Sequence, residues 1–496
     1  MFDSTLKRFW KIWEWGIGRT VAATIAAHTT SISVGMCQGY SAVLLPQLKE
    51  DANVNITTEE ESWIASLGVI STPGGALIAG LASELLGRKA TVQLTSVPFL
   101  VGWATIALST NKFALCVGRF VSGLAIGMAS ACYIYVAEIS LPNHRGFLSA
   151  FGPIFVSLGV LVVYSLGYLL YWQEVAVLCA AVAVLSFVVM HFVPESPSWL
   201  ASKELVSEAK SSLTWLRRSP AMCDSELAGI LQSLKVAKKQ SEQGSSVCSL
   251  LKQCSSPSVW KPFFILTFFF IFQEGSGIYI VLYYAVHFFQ KIGSSLDSNV
   301  ASILVATVRL FMSITGAICI QHFKRKTLAM ISGMGMGLSM AICGLYSYLY
   351  GHLPVEDRMY RWMPLLCVVV NVCFSMLGML QLPWLMTGEL FPLAMRGLLG
   401  GLVSSLAYLF IFGTIKIYPG MEARMDQDKV MWIFSAFSFC VVIYVKLFLP
   451  ETRGKSLHEI EMKFKREDYS VKNKNFDQEA QNKTPNEVYI ISRNDY

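Results

Sequence analysis

Runs of apolar residues long enough to cross a hydrocarbon core of about 30 Å recur along almost the whole chain. They lie near 21–45, 62–83, 90–109, 113–136, 147–170 and 174–193, and again near 262–286, 300–321, 327–350, 363–386, 397–418 and 430–449. A backbone in lipid has to satisfy its own hydrogen bonds, so runs of this length specify helices. The expected fold is an all-α membrane protein of twelve transmembrane helices in two six-helix halves. Composition agrees, because 54% apolar and only 15% charged residues make a 496-residue chain too oily for solution. The expected division is an N-terminus over 1–20, a first half over 21–200, a linker with short amphipathic helices over 201–260, a second half over 261–450 and a tail over 451–496. The tail has no apolar period beyond about Lys463 and reads as disordered.

Basic residues near span ends are retained in the cytoplasm. Lys7, Arg8, Lys11 and Arg19, then Arg88 and Lys89, Arg145, Lys324 to Lys326, and Arg396 all fall on one side if the helices alternate. The first loop of the opposite side, KEDANVNITTEEE, is acidic. Both termini are therefore expected in the cytoplasm of a multi-pass protein, with the plasma membrane as its site. The N-terminal residues do not read as a cleaved signal, because the first apolar run is too long and no small-residue cleavage pattern closes it.

The net charge of +7 is accounted for by these span ends and the linker, so it does not call for nucleic acid; the partners expected are the bilayer and a small solute. The cysteines sit mostly inside spans without the spacing a metal site needs, and no cofactor is expected. Asn55-Ile-Thr57 is a glycosylation sequon in the acidic outer loop, whereas Asn482 lies in the cytoplasmic tail. No phosphate-binding loop of the G-x-x-x-x-G-K-S/T kind is present, so an ATP-driven pump and an enzyme are both disfavoured.

Three signatures occur twice, at matching span ends. GLASELLGRK (80–89) is echoed by GAICIQHFKRK (316–326), AEISLPNHRG (137–146) by GELFPLAMRG (388–397), and PESPSWL (194–200) by PETRGKSLHEIE (450–461). With these pairs the chain resembles the sugar-porter family of the major facilitator superfamily from about Ala22 to Ile460, and QGYSAVLLPQL in the first span leans toward the insect trehalose-transporter branch. The resemblance implies a gate of carboxylates and guanidiniums that latches the halves together in one state and releases them in the other. Its first-half members would be Arg88, Arg119, Glu138, Arg145 and Glu195; the second-half members would be Arg325, Glu389, Arg396 and Glu451. The second copy departs from the pattern: Gln321 replaces the loop acid and Lys324 the glycine, where the first half keeps Glu84 and Gly87. A weaker latch there would shift the balance of states. Topology anchors and helix caps are the plainer reading of the same residues.

The stretch QEGSGIYIVLYY (273–284) matches the family's seventh-helix motif, in which paired amides meet sugar hydroxyls and aromatic faces cover the ring. The resemblance implies substrate contacts from Gln273, Glu274, Tyr279, Tyr283, Arg309 and Trp384. Glu274 stands at the second amide and Tyr279 at an asparagine; Pro153, Arg309, Met376, and Ala407 with Tyr408 replace other polar positions of the hexose site. Two charges, Glu274 and Arg309, thus enter the central region, where an ionisable group is costly. They can form a buried ion pair, or meet the substrate directly; a misplaced loop register would also put them there. Proton-coupled relatives carry an aspartate where this chain has Ser41, so facilitated diffusion is expected, although Glu274, His28 and His287 are titratable. The expected function is a facilitative transporter of trehalose or a hexose. The alternatives are a carrier of another polar solute, a proton-coupled symporter, or a non-transporting sugar-sensing receptor.

Overall fold

The computed structural model describes residues 18–50, 56–141, 144–217, 219–242, 257–292, 296–354, 357–392, 395–453, 460, 462 and 464, without the side chains of 50, 221, 236–242, 292, 396 and 397. Asn55 lies outside the described residues. No strand occurs among those described.

Among the described residues, ten helices are long and apolar enough to cross a membrane. They are the second to sixth spans (Thr58–Leu86, Arg88–Ala107, Lys112–Ile139, Arg145–Leu169 and Trp172–His191) and the eighth to twelfth (Ser298–His322, Arg325–Tyr350, Met363–Leu390, Arg396–Arg424 and Gln427–Phe448). The first span, Gly18–Glu50, is a continuous helix with Pro46 inside it, diluted by Thr, Ser, His and Gln. The seventh is broken into Pro257–Gly275, Ile278–Tyr283 and Ala285–Ile292. Together they complete the twelve. The span ends agree with the runs read from the sequence to within six residues: the third, fifth, sixth and twelfth helices stop one or two residues short of the expected end, and the others reach or pass it.

The break in the seventh span is set by Gly277, whose φ of +76° lies in the left-handed region. A Cβ there would also come within 2.6 Å of the Phe434 ring of the twelfth span. The tenth span is interrupted as well, at Gly378 between Met363–Leu377 and Leu382–Leu390. Spans one and five cross where small residues let backbones meet: a Cβ on Gly35 would lie 2.0 Å from the Val156 carbonyl oxygen, and one on Gly159 would lie 2.1 Å from that of Ile32.

The packing repeats from one half to the other. The third span packs on the fourth and sixth, as the ninth packs on the tenth and twelfth; the seam between the halves is made by the second against the eleventh, the fifth against the eighth, and the first against the seventh. The apolar core runs through that seam by way of Tyr40, Trp103, Tyr164, Tyr284 and Phe288. Leu77, Leu81, Phe113, Phe311 and Leu345 instead point outward, as a lipid-facing surface requires.

The linker helices Pro197–Ser202, Val206–Leu216 and Pro220–Glu242 are docked on the first half. Arg217 donates to Thr20 Oγ1 at 2.9 Å and the Ile139 carbonyl at 3.0 Å while forking onto Glu226, and Ser212 Oγ donates to the Glu195 carbonyl at 2.6 Å.

Candidate functional site

Alternation of the spans collects Arg88, Glu138, Glu195, Arg325, Glu389 and Glu451 at one end of the bundle, hereafter the motif end. There the two halves repeat one construction. Arg88 Nε donates to Glu138 at 3.0 Å, and Arg325 Nη2 to Glu389 at 3.2 Å. The other oxygen of each carboxylate accepts a hydroxyl, from Ser196 in the first half and from Thr452, at 2.6 Å, in the second. Glu195 accepts the backbone N–H groups of Arg88 and Lys89 at 3.0 and 2.9 Å; Glu451 accepts those of Arg325 and Lys326 at 3.0 and 3.2 Å. Charge-assisted bonds of this kind, converging on a helix start, fix the ends of four helices at once.

The copies differ where the sequences do. Arg88 has a second carboxylate partner, Glu84, at 2.9 Å, whereas Gln321 provides none for Arg325. Gly87 adopts φ +106° with ψ 164°, a conformation open almost only to glycine, and Glu195 fills the space a Cβ would take. Lys324 sits at φ −66°, which any residue adopts, so the second loop dispenses with glycine.

In this conformation the bonds of both clusters given above stay within their own halves. Arg119 belongs to neither cluster. It lies in the same span as Glu138 but 19 residues earlier, roughly 28 Å at helical rise, and is buried with its guanidinium donating to the Ile64 carbonyl, the Cys37 carbonyl and Ser41 Oγ at 3.2, 3.1 and 2.6 Å. Its partners are neutral dipoles of the first and second spans, so it ties those spans together. Arg145 is exposed at the start of the fifth span and forms no ion pair among the described residues. The side chain of Arg396 is not described.

At the opposite, far end the halves do touch through polar groups. Lys416 Nζ of the eleventh span donates to Ser62 Oγ of the second at 2.7 Å and stands 3.9 Å from the ring centroid of Trp63, which also meets Phe412 at 6.1 Å. Tyr164 Oη of the fifth span donates to the Leu282 carbonyl of the seventh at 2.5 Å. Nearby, His287 and Glu422 pair at 2.9 Å, and Lys49 pairs with Glu61 at 2.9 Å.

Between the two ends, the breaks of the seventh and tenth spans meet: Gln273 Nε2 donates to the Leu380 carbonyl at 3.3 Å. Around this junction stand the residues singled out from the sequence. Gln273 and Glu274 are buried, and Gln273 Oε1 and both Glu274 oxygens have no hydrogen-bond partner among the described residues. Tyr279 and Tyr283 are buried on the short helix after the break. Arg309 is buried midway along the eighth span with an unpartnered Nε. Trp384 meets Phe270 edge-on at 4.9 Å and Tyr408 at 5.2 Å. The ion pair expected as one reading of Glu274 and Arg309 is not formed. Instead, Tyr279 lies within electrostatic range of both, and Arg309 is also within electrostatic range of Tyr164 and Tyr283.

Gln381 of the tenth span also brings an unpartnered buried amide nitrogen to this junction; Asn371 of the same span donates instead to the Met336 carbonyl and Ser339 Oγ of the ninth, and neither residue is singled out from the sequence. Their signal was available: single amides in the apolar runs VVVNVCF and MLQLPW. The arrangement as a whole is a ring of amide, carboxylate, guanidinium and phenol groups with an aromatic wall, all of it able to exchange hydrogen bonds with a polyhydroxylated molecule and none of it arranged for bond cleavage.

Comparison with known proteins accords with this arrangement. The family profile described as "Sugar (and other) transporter" matches residues 15–464. A facilitated trehalose transporter, Tret1, of Bombyx mori is 32% identical over 443 residues, covering 89% of this chain and 86% of that one. The protein of the same description from Apis mellifera ligustica is 31% identical over 445 residues, covering 89% and 87%. Among solved structures, the xylose transporter XylE of E. coli in a partially occluded inward-open conformation superposes with a TM-score of 0.73 at 19% identity, over 88% of this chain and 100% of that one. The same major facilitator superfamily protein, a proton:xylose symporter, bound to 6-bromo-6-deoxy-D-glucose gives 0.72 at 22% identity, over 90% and 99%. At that identity the likeness establishes the twelve-span fold.

Proposed function

The chain belongs to the sugar (and other) transporter family, and from that premise we propose that it carries trehalose or a hexose across the plasma membrane by facilitated diffusion. It is a multi-pass membrane transporter and not an enzyme. The observation that carries the mechanism is the unequal closure of the two ends. The far end is tied across the seam by Lys416, Ser62, Trp63 and Tyr164, while the motif-end clusters Arg88–Glu138 and Arg325–Glu389 each stay within one half. In alternating access a central site faces one side while the other is shut. With the basic span ends and both termini in the cytoplasm, this conformation faces inward.

Solute binding falls to Gln273, Glu274, Tyr279, Tyr283, Arg309 and Trp384, at the junction of the two broken spans. Discontinuous helices supply such sites with free backbone and side-chain groups at the midplane. Gating falls to Arg88, Glu138, Glu195, Arg325, Glu389 and Glu451, which hold the motif ends of each half as rigid units, with Arg145 and Arg396 engaging as the halves close. Asn55 is the glycosylation site on the outer face.

Uniport rather than proton symport is supported by Ser41. Arg119 reaches a neutral hydroxyl at the position where proton-coupled relatives carry an aspartate, so no protonation switch resides there. Uptake of labelled trehalose and hexoses into proteoliposomes, with and without a protonophore, tests both halves of the proposal: saturable flux that the protonophore leaves unchanged is expected. A carrier that moves none of these sugars, or only with an imposed proton gradient, refutes it.

A further inference from the structure

The first half holds a polar cluster that the family resemblance does not assign. His28 of the first span is fully buried; its Nδ1 lies 3.0 Å from Ser31 Oγ, and its Nε2 has no partner among the described residues. A buried ring nitrogen without a partner is a hydrogen-bonding capacity left open. The ring of Tyr133 in the fourth span stands edge-on to that imidazole at a centroid distance of 5.1 Å, and Phe155 of the fifth span flanks it at 6.5 Å.

Tyr133 is 40% exposed. Its flanks are covered by the first and fifth spans, and a Cβ on Gly152 would lie 2.3 Å from its hydroxyl oxygen, so the position was kept clear for that phenol. Tyr408 of the eleventh span, in the other half, lies within electrostatic range of both Tyr133 and Tyr279. Tyr408 also packs on Trp384 at 5.2 Å. One aromatic residue thus lies near both the amide–carboxylate cluster of the second half and the imidazole–phenol cluster of the first.

We infer that His28 and Tyr133 form a second glycosyl subsite, so that the carrier takes a disaccharide with one ring at Gln273, Glu274 and Trp384 and the other against Tyr133. This rests on the reading of the protein as a sugar carrier. A tyrosine hydroxyl and an imidazole offer a donor and an acceptor to vicinal hydroxyls, and the ring face of Tyr133 offers apolar cover. Pro153 stands where the family has its fifth-helix amide, so the first half reaches the solute through its first and fourth spans instead.

The test is counterflow in proteoliposomes with trehalose, maltose and glucose, comparing wild type with Tyr133→Phe and His28→Leu. Loss of a single neutral hydrogen bond predicts that the disaccharide-to-glucose ratio of kcat/KM falls about five- to tenfold in each variant. Ratios unchanged from wild type overturn the inference while leaving sugar transport standing; no flux of any of the three sugars in wild type removes the underlying reading as well. Should a variant fail to fold, thermal-shift binding to wild type decides the matter. Trehalose or maltose binding more tightly than glucose is expected, and the reverse order overturns the subsite.

Discussion

Replacing Lys416 with Met keeps the aliphatic stem but removes the ammonium that joins the halves at the far end. Two contacts are lost, the bond to Ser62 Oγ at 2.7 Å and the approach to the Trp63 ring at 3.9 Å. A cation over an aromatic face is worth about 0.5–1 kcal/mol where exposed and about 2 kcal/mol where desolvated. Trp63 is 39% exposed, so about 1 kcal/mol is appropriate, and the hydrogen bond from the ammonium adds about 1 kcal/mol after discounting for water at the rim. Both are absent once the far end opens, so the sum of about 2 kcal/mol acts on the equilibrium between the two states, a factor of about 30. Spin labels at Thr110 and Met425, exposed far-end positions on opposite halves, report that equilibrium as a distance distribution. Lys416→Met is expected to raise the long-distance population relative to the short by that order, and Trp63→Leu alone by about fivefold. A distribution unchanged in both variants would refute the assignment of this contact as the latch.

Other substitutions probe the motif end and the centre. Gly87→Ala forces a side chain into a conformation that costs about 1–3 kcal/mol outside glycine and pushes Glu195 off the Arg88 and Lys89 N–H groups, so a clear drop in melting temperature is expected; Lys324→Gly, at φ −66°, should shift it by far less. Because Glu274 and Arg309 are not paired, Glu274→Gln should melt at or above wild type, and in a double-mutant cycle with Arg309→Asn the coupling should stay below about 0.5 kcal/mol. Single variants that each lose about 3–5 kcal/mol, with recovery in the double, would show a buried pair after all. Gln321→Glu supplies Arg325 with the partner Arg88 already has, an i,i+4 contact worth about 0.3–0.5 kcal/mol, and should raise the melting temperature slightly; a decrease would contradict the repeat.

The spans are legible because insertion in lipid reads length and apolarity alone, and the paired signatures mark the motif end in the sequence itself. The seventh span announced its break through the Gly-Ser-Gly of QEGSG, although only the structure shows that Gly277 is left-handed and packed under Phe434. The resemblance alone places Arg119 with the gate. Distance along the helix overrides that, since its span begins at the far end with Lys112. Glu274 and Arg309 invited pairing because each alone is costly. Which way two side chains point around adjacent helices depends on packing that a single sequence does not encode, and here it leaves the two charges unpaired. The far-end latch was illegible for the same reason: Lys416 and Trp63 are 353 positions apart (416 − 63) and share no motif.

The central claim, that this chain exchanges a sugar across a bilayer through one alternately exposed site, is tested most directly by counterflow. Proteoliposomes loaded with unlabelled trehalose or hexose are diluted into trace labelled sugar without ATP or an ion gradient. The account predicts a transient, saturable accumulation of label above equilibrium. Binding of the labelled sugar without any such overshoot, across the whole panel, would contradict it and favour a receptor.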